Sequence, residues 1–271
     1  MFEAIGKFRA ELRAGRVLIG AAVTLAEPLV SDALAGSVEF LWIDVEHSAM
    51  SPEVLSGHLL AARARGVPAL VRVAGSATPF IKPVLDAGAC GIIVPQVRSA
   101  DEVRQVVGDC RYPPLGHRGY GPRVPSNYGR DGGSQYVERA NRELFVAVQI
   151  ENADALADLD RMVAVPGLDS LVIGPYDLSA ALGVMGDVEH PTVVSAVDTV
   201  IRKARAAGLF VGAGMGADPQ YARRMVQRGV QWLQVGGDYS YMIQRADQLR
   251  AAIRNGTDPR PLSSGTARPL N

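Results

Sequence analysis

Along this chain, short runs rich in Val, Ile, Leu and Phe alternate with longer segments in which apolar residues return every three or four positions. The short runs read as strands and the longer segments as amphipathic helices, so βα units are expected and not a sandwich or a helical bundle. Eight strands are predicted, at residues 17–23, 38–43, 69–73, 91–94, 145–150, 170–173, 210–213 and 232–235. The helices between them are punctuated to match. Ser51-Pro52-Glu53 offers an N-cap, a proline at the first helical position and an acidic first turn. Gly66, Gly88, Gly208 and Gly229 each stand between a helical segment and the next strand. Eight strands with intervening helices in 271 residues, close to the roughly 250 typical of the fold, favour a single-domain (β/α)8 TIM barrel over an open doubly wound sheet. The barrel is expected over residues 1–254. Residues 255–271 lack apolar periodicity and read as a flexible tail.

Composition narrows the class. With 48% hydrophobic and 21% charged residues the chain is globular, and 28 basic residues against 28 acidic ones give no general electrostatic reason to bind nucleic acid or an anionic membrane. Cys90 and Cys110 form no CxxC pair and read as reduced thiols. The first residues lack the apolar core of a secretory signal and no run is long enough to span a bilayer, so a cytoplasmic location is expected. Between the fourth and fifth strands, residues 111–130 are rich in Pro, Gly, Arg and Tyr, which suits a lid or an intersubunit contact.

In a parallel α/β barrel the C-terminal strand ends form the active-site face, so polar residues just past each strand are the candidates for chemistry. The second strand runs into Asp44, Glu46 and His47, a cluster able to supply an acid/base histidine with a carboxylate to orient it, or a merely solvated turn. Arg72 ends the third strand within an apolar run, where its charge requires an anionic partner, either a structural carboxylate or a ligand oxygen. Gln149 and Glu151 share one face of the fifth strand, and Asp177 follows the sixth. Taken singly, each acid serves equally as a helix cap. Taken together, two carboxylates from neighbouring strands suit a hard divalent ion better than zinc. Gly174 and Pro175 bring backbone close to the mouth, and the helix that follows offers amide donors.

Six ordered motifs make the pattern specific: Trp42-Ile-Asp-Val-Glu-His47, Val71-Arg72-Val73, Leu85-Asp-Ala-Gly-Ala-Cys-Gly-Ile-Ile93, Arg111-Tyr-Pro-Pro-Leu-Gly-His-Arg-Gly119, Val148-Gln-Ile-Glu151 and Ile173-Gly-Pro-Tyr-Asp-Leu-Ser179. Together, over about residues 8–253, they resemble the HpcH/HpaI aldolase family of metal-dependent class II pyruvate aldolases. The resemblance implies that Glu151 and Asp177 bind a divalent ion, Mg²⁺, Mn²⁺ or Co²⁺. It implies that His47, paired with Asp44, is the acid/base group and that Arg72 holds the keto or enolate oxygen. Gln149, Gly174, Pro175, Tyr176 and Asp177 would bind the 2-oxo acid. The implied reaction is reversible cleavage of a 4-hydroxy-2-oxo acid to pyruvate, or a close 2-oxo acid analogue, and an aldehyde, through a metal-bound enolate. Oxaloacetate decarboxylation, CoA-ester lysis and a catalytically silent barrel are the alternatives. The resemblance also implies a homo-oligomer, a hexamer assembled as a trimer of dimers that exchange a C-terminal helix. Two positions depart from the family pattern: Tyr176 stands where a small residue is common, and the loop after Gly119 reads Tyr-Gly-Pro-Arg123.

Overall fold

The structure is a computed structural model, and it describes residues 1–256. Eight parallel strands close into a barrel in the order of the chain. They are β1 (Leu18–Val23), β2 (Phe40–Asp44), β3 (Ala69–Arg72), β4 (Gly91–Val94), β5 (Phe145–Ile150), β6 (Ser170–Ile173), β7 (Phe210–Met215) and β8 (Trp232–Gly237). The helices are α1 (Phe2–Arg13), α2 (Pro28–Leu34), α3 (Pro52–Arg65), α4 (Thr78–Ala87), α5 (Ala100–Cys110) and α6 (Gly133–Glu143), then α7 (Ala153–Ala157), α8 (Leu159–Met162), α9 (Pro175–Ala181), α10 (Pro191–Ala206), α11 (Pro219–Arg228) and α12 (Asp238–Asn255). Every predicted strand exists. The largest shifts are at β2, which begins two residues later than its apolar run, and at β7 and β8, which run two residues further toward the active-site face. The predicted tail meets α12 at Asn255, and residues 257–271 lie outside the described residues.

Side chains inside the barrel are stacked in layers, as alternation along each strand requires. At the N-terminal end Leu18, Phe40, Phe145 and Trp232 are all buried in one cluster. Helix α1 lies across this end and inserts Ile5, Phe8 and Leu12 into the same cluster. Phe8 meets Phe40, Phe145 and Trp232 edge-on at centroid distances of 5.6, 5.5 and 6.2 Å, the geometry that aromatic quadrupoles favour. Arg9 fastens the plug through two bonds to Asp169, at 2.6 and 2.8 Å. The N-terminal end of the barrel is therefore closed, and only the C-terminal mouth is left for chemistry.

The segment between α5 and α6 is held down at its start. Arg118 lies over the Tyr112 ring, 4.7 Å from its centroid, and bonds Asp86 on α4 at 2.7 Å, while Arg111 donates to the Leu144 carbonyl at 2.9 Å. None of residues 111–130 lines the barrel mouth of its own protomer, so the expected lid does not cover this site. The final helix behaves differently from the others. α12 touches β8 and β1 but buries only Asp238 and Ala252, leaving Met242, Ile243 and Ile253 more than half exposed. Among the described residues, no helix is long and apolar enough to cross a membrane.

Candidate active site

The register of the sheet brings the candidate residues to one level. Asp44 pairs with Arg72 across β2 and β3, and the mouth above them is a cavity of about 430 Å³. Asp44, His47, Arg72, Gln149, Gly174, Pro175, Tyr176 and Asp177 all line it. A larger cavity, about 550 Å³, lies on the flank among α1, α3 and the segment before α6, and none of these residues reaches it. The larger space is not the chemical one.

Arg72 is the centre of the network on the β2–β3 side. Its Nε and Nη2 donate to the two oxygens of Asp44 at 3.0 and 2.6 Å, and its Nη1 lies 3.2 Å from Glu46. Burial opposes the guanidinium charge, but the two carboxylates outweigh it and raise the Arg72 pKa. Asp44 also accepts from the backbone N–H groups of Glu46 and His47 at 3.1 and 3.3 Å, which folds the turn after β2. This corrects the expected Asp44–His47 side-chain pair. Asp44 is occupied by Arg72 and holds only the backbone of His47, whose Nε2 instead approaches Glu46 at 3.5 Å from an exposed position. Glu46 lies between Arg72 and His47. Burial raises its pKa against the pull of both, with Asp44 and Asp177 adding repulsion.

Across the mouth, Glu151 sits just past β5, buried immediately beneath the cavity wall. One carboxylate oxygen accepts from the Gln96 backbone N–H at 2.7 Å and the other from the Gln149 amide. Gln96 delivers that N–H from a left-handed conformation, φ 55°, uncommon for a residue with a side chain and of the kind that clusters at functional sites. No sequence signal marked it. Gly174 packs against the same carboxylate so closely that a Cβ there would stand 2.6 Å from Glu151 Oε2 and 2.6 Å from Gln149 Nε2. Burial pushes the Glu151 carboxyl up to about 7, and the negative charges of Asp177 and Glu46 add to it against the Gln96 and Gln149 hydrogen bonds. The Gln149 Oε1 atom is buried with no partner among the described residues. Asp177, exposed at the rim in the first turn of α9, faces the same space, and the first-turn amides of α9 have no intrahelical acceptor.

Four carboxylates, of Asp44, Glu46, Glu151 and Asp177, thus face one guanidinium and one histidine. The excess negative charge favours a cation. No group of three or more His, Cys, Asp or Glu side chains is arranged to hold a metal among the described residues. Glu151 and Asp177 are the residues that would hold such an ion, as two hard oxygen donors with the remaining positions left to water and substrate oxygens, a donor set suited to an oxygen-seeking divalent ion. Tyr176 is half exposed at the rim, as is Tyr239, which follows β8.

A family model described as HpcH/HpaI aldolase/citrate lyase matches residues 24–244. The hydroxypyruvate/pyruvate aldolase of Pseudomonas aeruginosa is 36% identical over 265 residues, 97% of each chain. The 2-keto-3-deoxy-L-rhamnonate aldolase of Escherichia coli O157:H7 is 35% identical over 252 residues, 92% of this chain and 93% of the other. The crystal structure of an HpcH/HpaI aldolase from Desulfitobacterium hafniense DCB-2 superposes with a TM-score of 0.84 at 31% identity, covering 93% of this chain and 98% of that one. By matched length, identity and fold, the chain belongs to the HpcH/HpaI aldolase/citrate lyase family.

Proposed function

We propose that this protein is a carbon–carbon lyase that reversibly cleaves a 4-hydroxy-2-oxo acid to pyruvate, or a close 2-oxo acid analogue, and an aldehyde. The observation that carries the proposal is the convergence of Glu151, Asp177, Arg72 and His47 on one end of the barrel, each from a different strand end. A divalent ion held by Glu151 and Asp177, Mg²⁺, Mn²⁺ or Co²⁺, would supply Lewis acidity at the carboxylate and 2-oxo oxygens of the substrate.

The protein's own groups divide the rest of the work. The first-turn amides of α9, around Tyr176 and Asp177, receive the substrate carboxylate, with Gly174 and Pro175 keeping the backbone close. Arg72 has five N–H groups, and those not directed at Asp44 and Glu46 remain for the 2-oxo oxygen as it gains negative charge. Gln149 lines the same wall. His47 takes the proton of the C4 hydroxyl. The C3–C4 bond breaks, the aldehyde carbonyl forms at C4, and the bonding pair becomes the enolate of the 2-oxo acid. Return of the proton to C3 completes pyruvate, and the reverse sequence is aldol addition. Glu46, and not Asp44, is the carboxylate beside the His47 ring, 3.5 Å from its Nε2. The same reading includes a cytoplasmic setting and a homo-oligomer, a hexamer built from dimers exchanging α12, supported by the unburied apolar side chains of that helix.

The test is pyruvate release from a panel of 4-hydroxy-2-oxo acids, with oxaloacetate alongside, after EDTA treatment and after restoring Mn²⁺ or Mg²⁺. Turnover is expected to vanish with EDTA and return with metal, and to fall about 10²-fold or more in His47→Ala. Turnover unaffected by EDTA would sink the proposal, and release from oxaloacetate alone would replace the aldolase with a decarboxylase.

A further inference from the structure

Gln234 is a polar side chain at an interior position of β8, directly above the buried Trp232. Its neighbours across the sheet are Gly20 on β1 and Gly214 on β7, so no side chain projects from either paired position, and the nearest rings are those of Phe40 beside Gly20 and Trp42 beside Gly214. It lines the mouth together with Trp42, Arg72 and Gln149. Its Nε2 donates to the Met215 carbonyl at 3.1 Å and also to the carbonyl of Gly236. Carbonyl oxygens only accept, so both contacts require the NH₂ group, and this fixes which way the amide faces. Gly236 reaches its position with φ +70°, where a Cβ would collide with Ala217 and Tyr241 at 2.7 Å. The clamp therefore depends on a backbone shape that a larger residue could not take.

With both amide hydrogens engaged, Oε1 is the free end. It has no partner among the described residues and lies along Gly214, 3.0 Å from where a Cβ would be. The groups assigned above to the 2-oxo acid are on β3, β5 and the start of α9. The other side of the 430 Å³ cavity combines small residues, Ala22, Gly214, Gly216 and Gly237, with Met215 and Tyr239; Thr24 and Ser240 also line it but donate their hydroxyl hydrogens to Asp238 and the Gly237 carbonyl, and Gln234 is the polar side chain within the strands there. Resting on the aldolase reading, that side is where the aldehyde half of the substrate must lie, because the first side is taken.

We infer that Gln234 determines specificity for the aldehyde, its fixed Oε1 accepting a hydrogen bond from a hydroxyl next to the reacting carbonyl. The substrates selected are 4,5-dihydroxy-2-oxo acids and the products α-hydroxyaldehydes. An alkyl group in that place strips water from Oε1 and gives nothing back, and a carboxylate meets a lone pair.

The experiment is aldol addition with pyruvate and saturating Mn²⁺, comparing near-isosteric aldehydes: glycolaldehyde against propanal, and glyceraldehyde against 2-methylbutanal. The parent protein is expected to favour the hydroxylated member of each pair by about tenfold or more in kcat/KM. In Gln234→Met, which keeps the bulk, and in Gln234→Ala, which removes it, the ratio should fall toward one. A ratio taken within one preparation cancels any loss of folded protein. A parent without the preference, or variants that retain it, would overturn the inference. Deuterium exchange at the pyruvate methyl group, measured with metal and no aldehyde, separates the two levels: a parent that fails to exchange brings down the aldolase reading itself, whereas exchange without hydroxyl selectivity brings down only the role of Gln234.

Discussion

Arg72 directs donors at Asp44 and Glu46, and His47 leans on Glu46 from the solvent side, so these four residues act as one unit. Adjacency in the chain had marked Asp44, Glu46 and His47 together, but not which atoms would face one another. Asp44 points into the barrel beside Arg72, and the turn it caps carries His47 outward. On the other wall, Glu151 is a carboxylate whose pKa is pushed up to about 7, first by burial and then by Asp177 and Glu46. Its pKa is higher in the folded than in the unfolded state, so its proton favours folding below about pH 4.5, and that contribution is lost as pH rises toward 7. Metal-free Glu151→Gln is accordingly expected to be more stable than the parent at pH 8, by up to about 3 kcal/mol, and indistinguishable near pH 4. Urea unfolding at the two pH values checks it, and equal stability at both would show that the buried carboxylate carries no strain. The same variant should lose Mn²⁺ binding.

At the level of elements, the β6–α9 junction does the positioning. Gly174 caps α9, Pro175 occupies its first turn, and the absence of a side chain at Gly174 is what lets Glu151 and Gln149 reach the start of the helix. Gly174→Ala would press a methyl group into both buried side chains, whose ends must shift, and overpacking of about 1–3 kcal/mol is expected. The more telling effect is on the ion: Mn²⁺ affinity should drop about tenfold or more, read by isothermal titration, while the far-ultraviolet circular dichroism of the barrel is kept. Undiminished affinity would mean that Glu151 holds no metal. Gln234 was legible in principle, because a polar residue two positions after Trp232 in a predicted strand must share its inward face. The carbonyls that clamp it come from Met215 on β7 and from Gly236 further along β8, one of them on another strand, which no local pattern relates to it.

For the whole molecule, a barrel closed below by α1 and open above fixes a single face for chemistry, while α12 leaves apolar surface that its own barrel does not cover. Exposed Met242, Ile243 and Ile253 on one helix match a surface that a second copy would bury. Ile243→Asp with Ile253→Asp is therefore expected to convert an oligomer to smaller species in light scattering at micromolar concentration. A parent that is monomeric under those conditions would remove the exchanged-helix reading.

The eight strands, their order, the closed barrel and the identity of the acids, arginine and histidine at the strand ends are all legible in the amino-acid chain. Those follow from apolar periodicity, glycine and proline punctuation and the fixed relation between strand end and active-site face, all of them local or topological rules. The folded arrangement alone fixes which partner each charge takes, that Gln96 turns its N–H onto Glu151, that residues 111–130 leave their own mouth uncovered, and that Gln234 is clamped with its oxygen free. Such outcomes depend on side chains and backbone groups brought together from remote parts of the chain within hydrogen-bonding distance, and a few ångströms of register decide which of several possible partners is met.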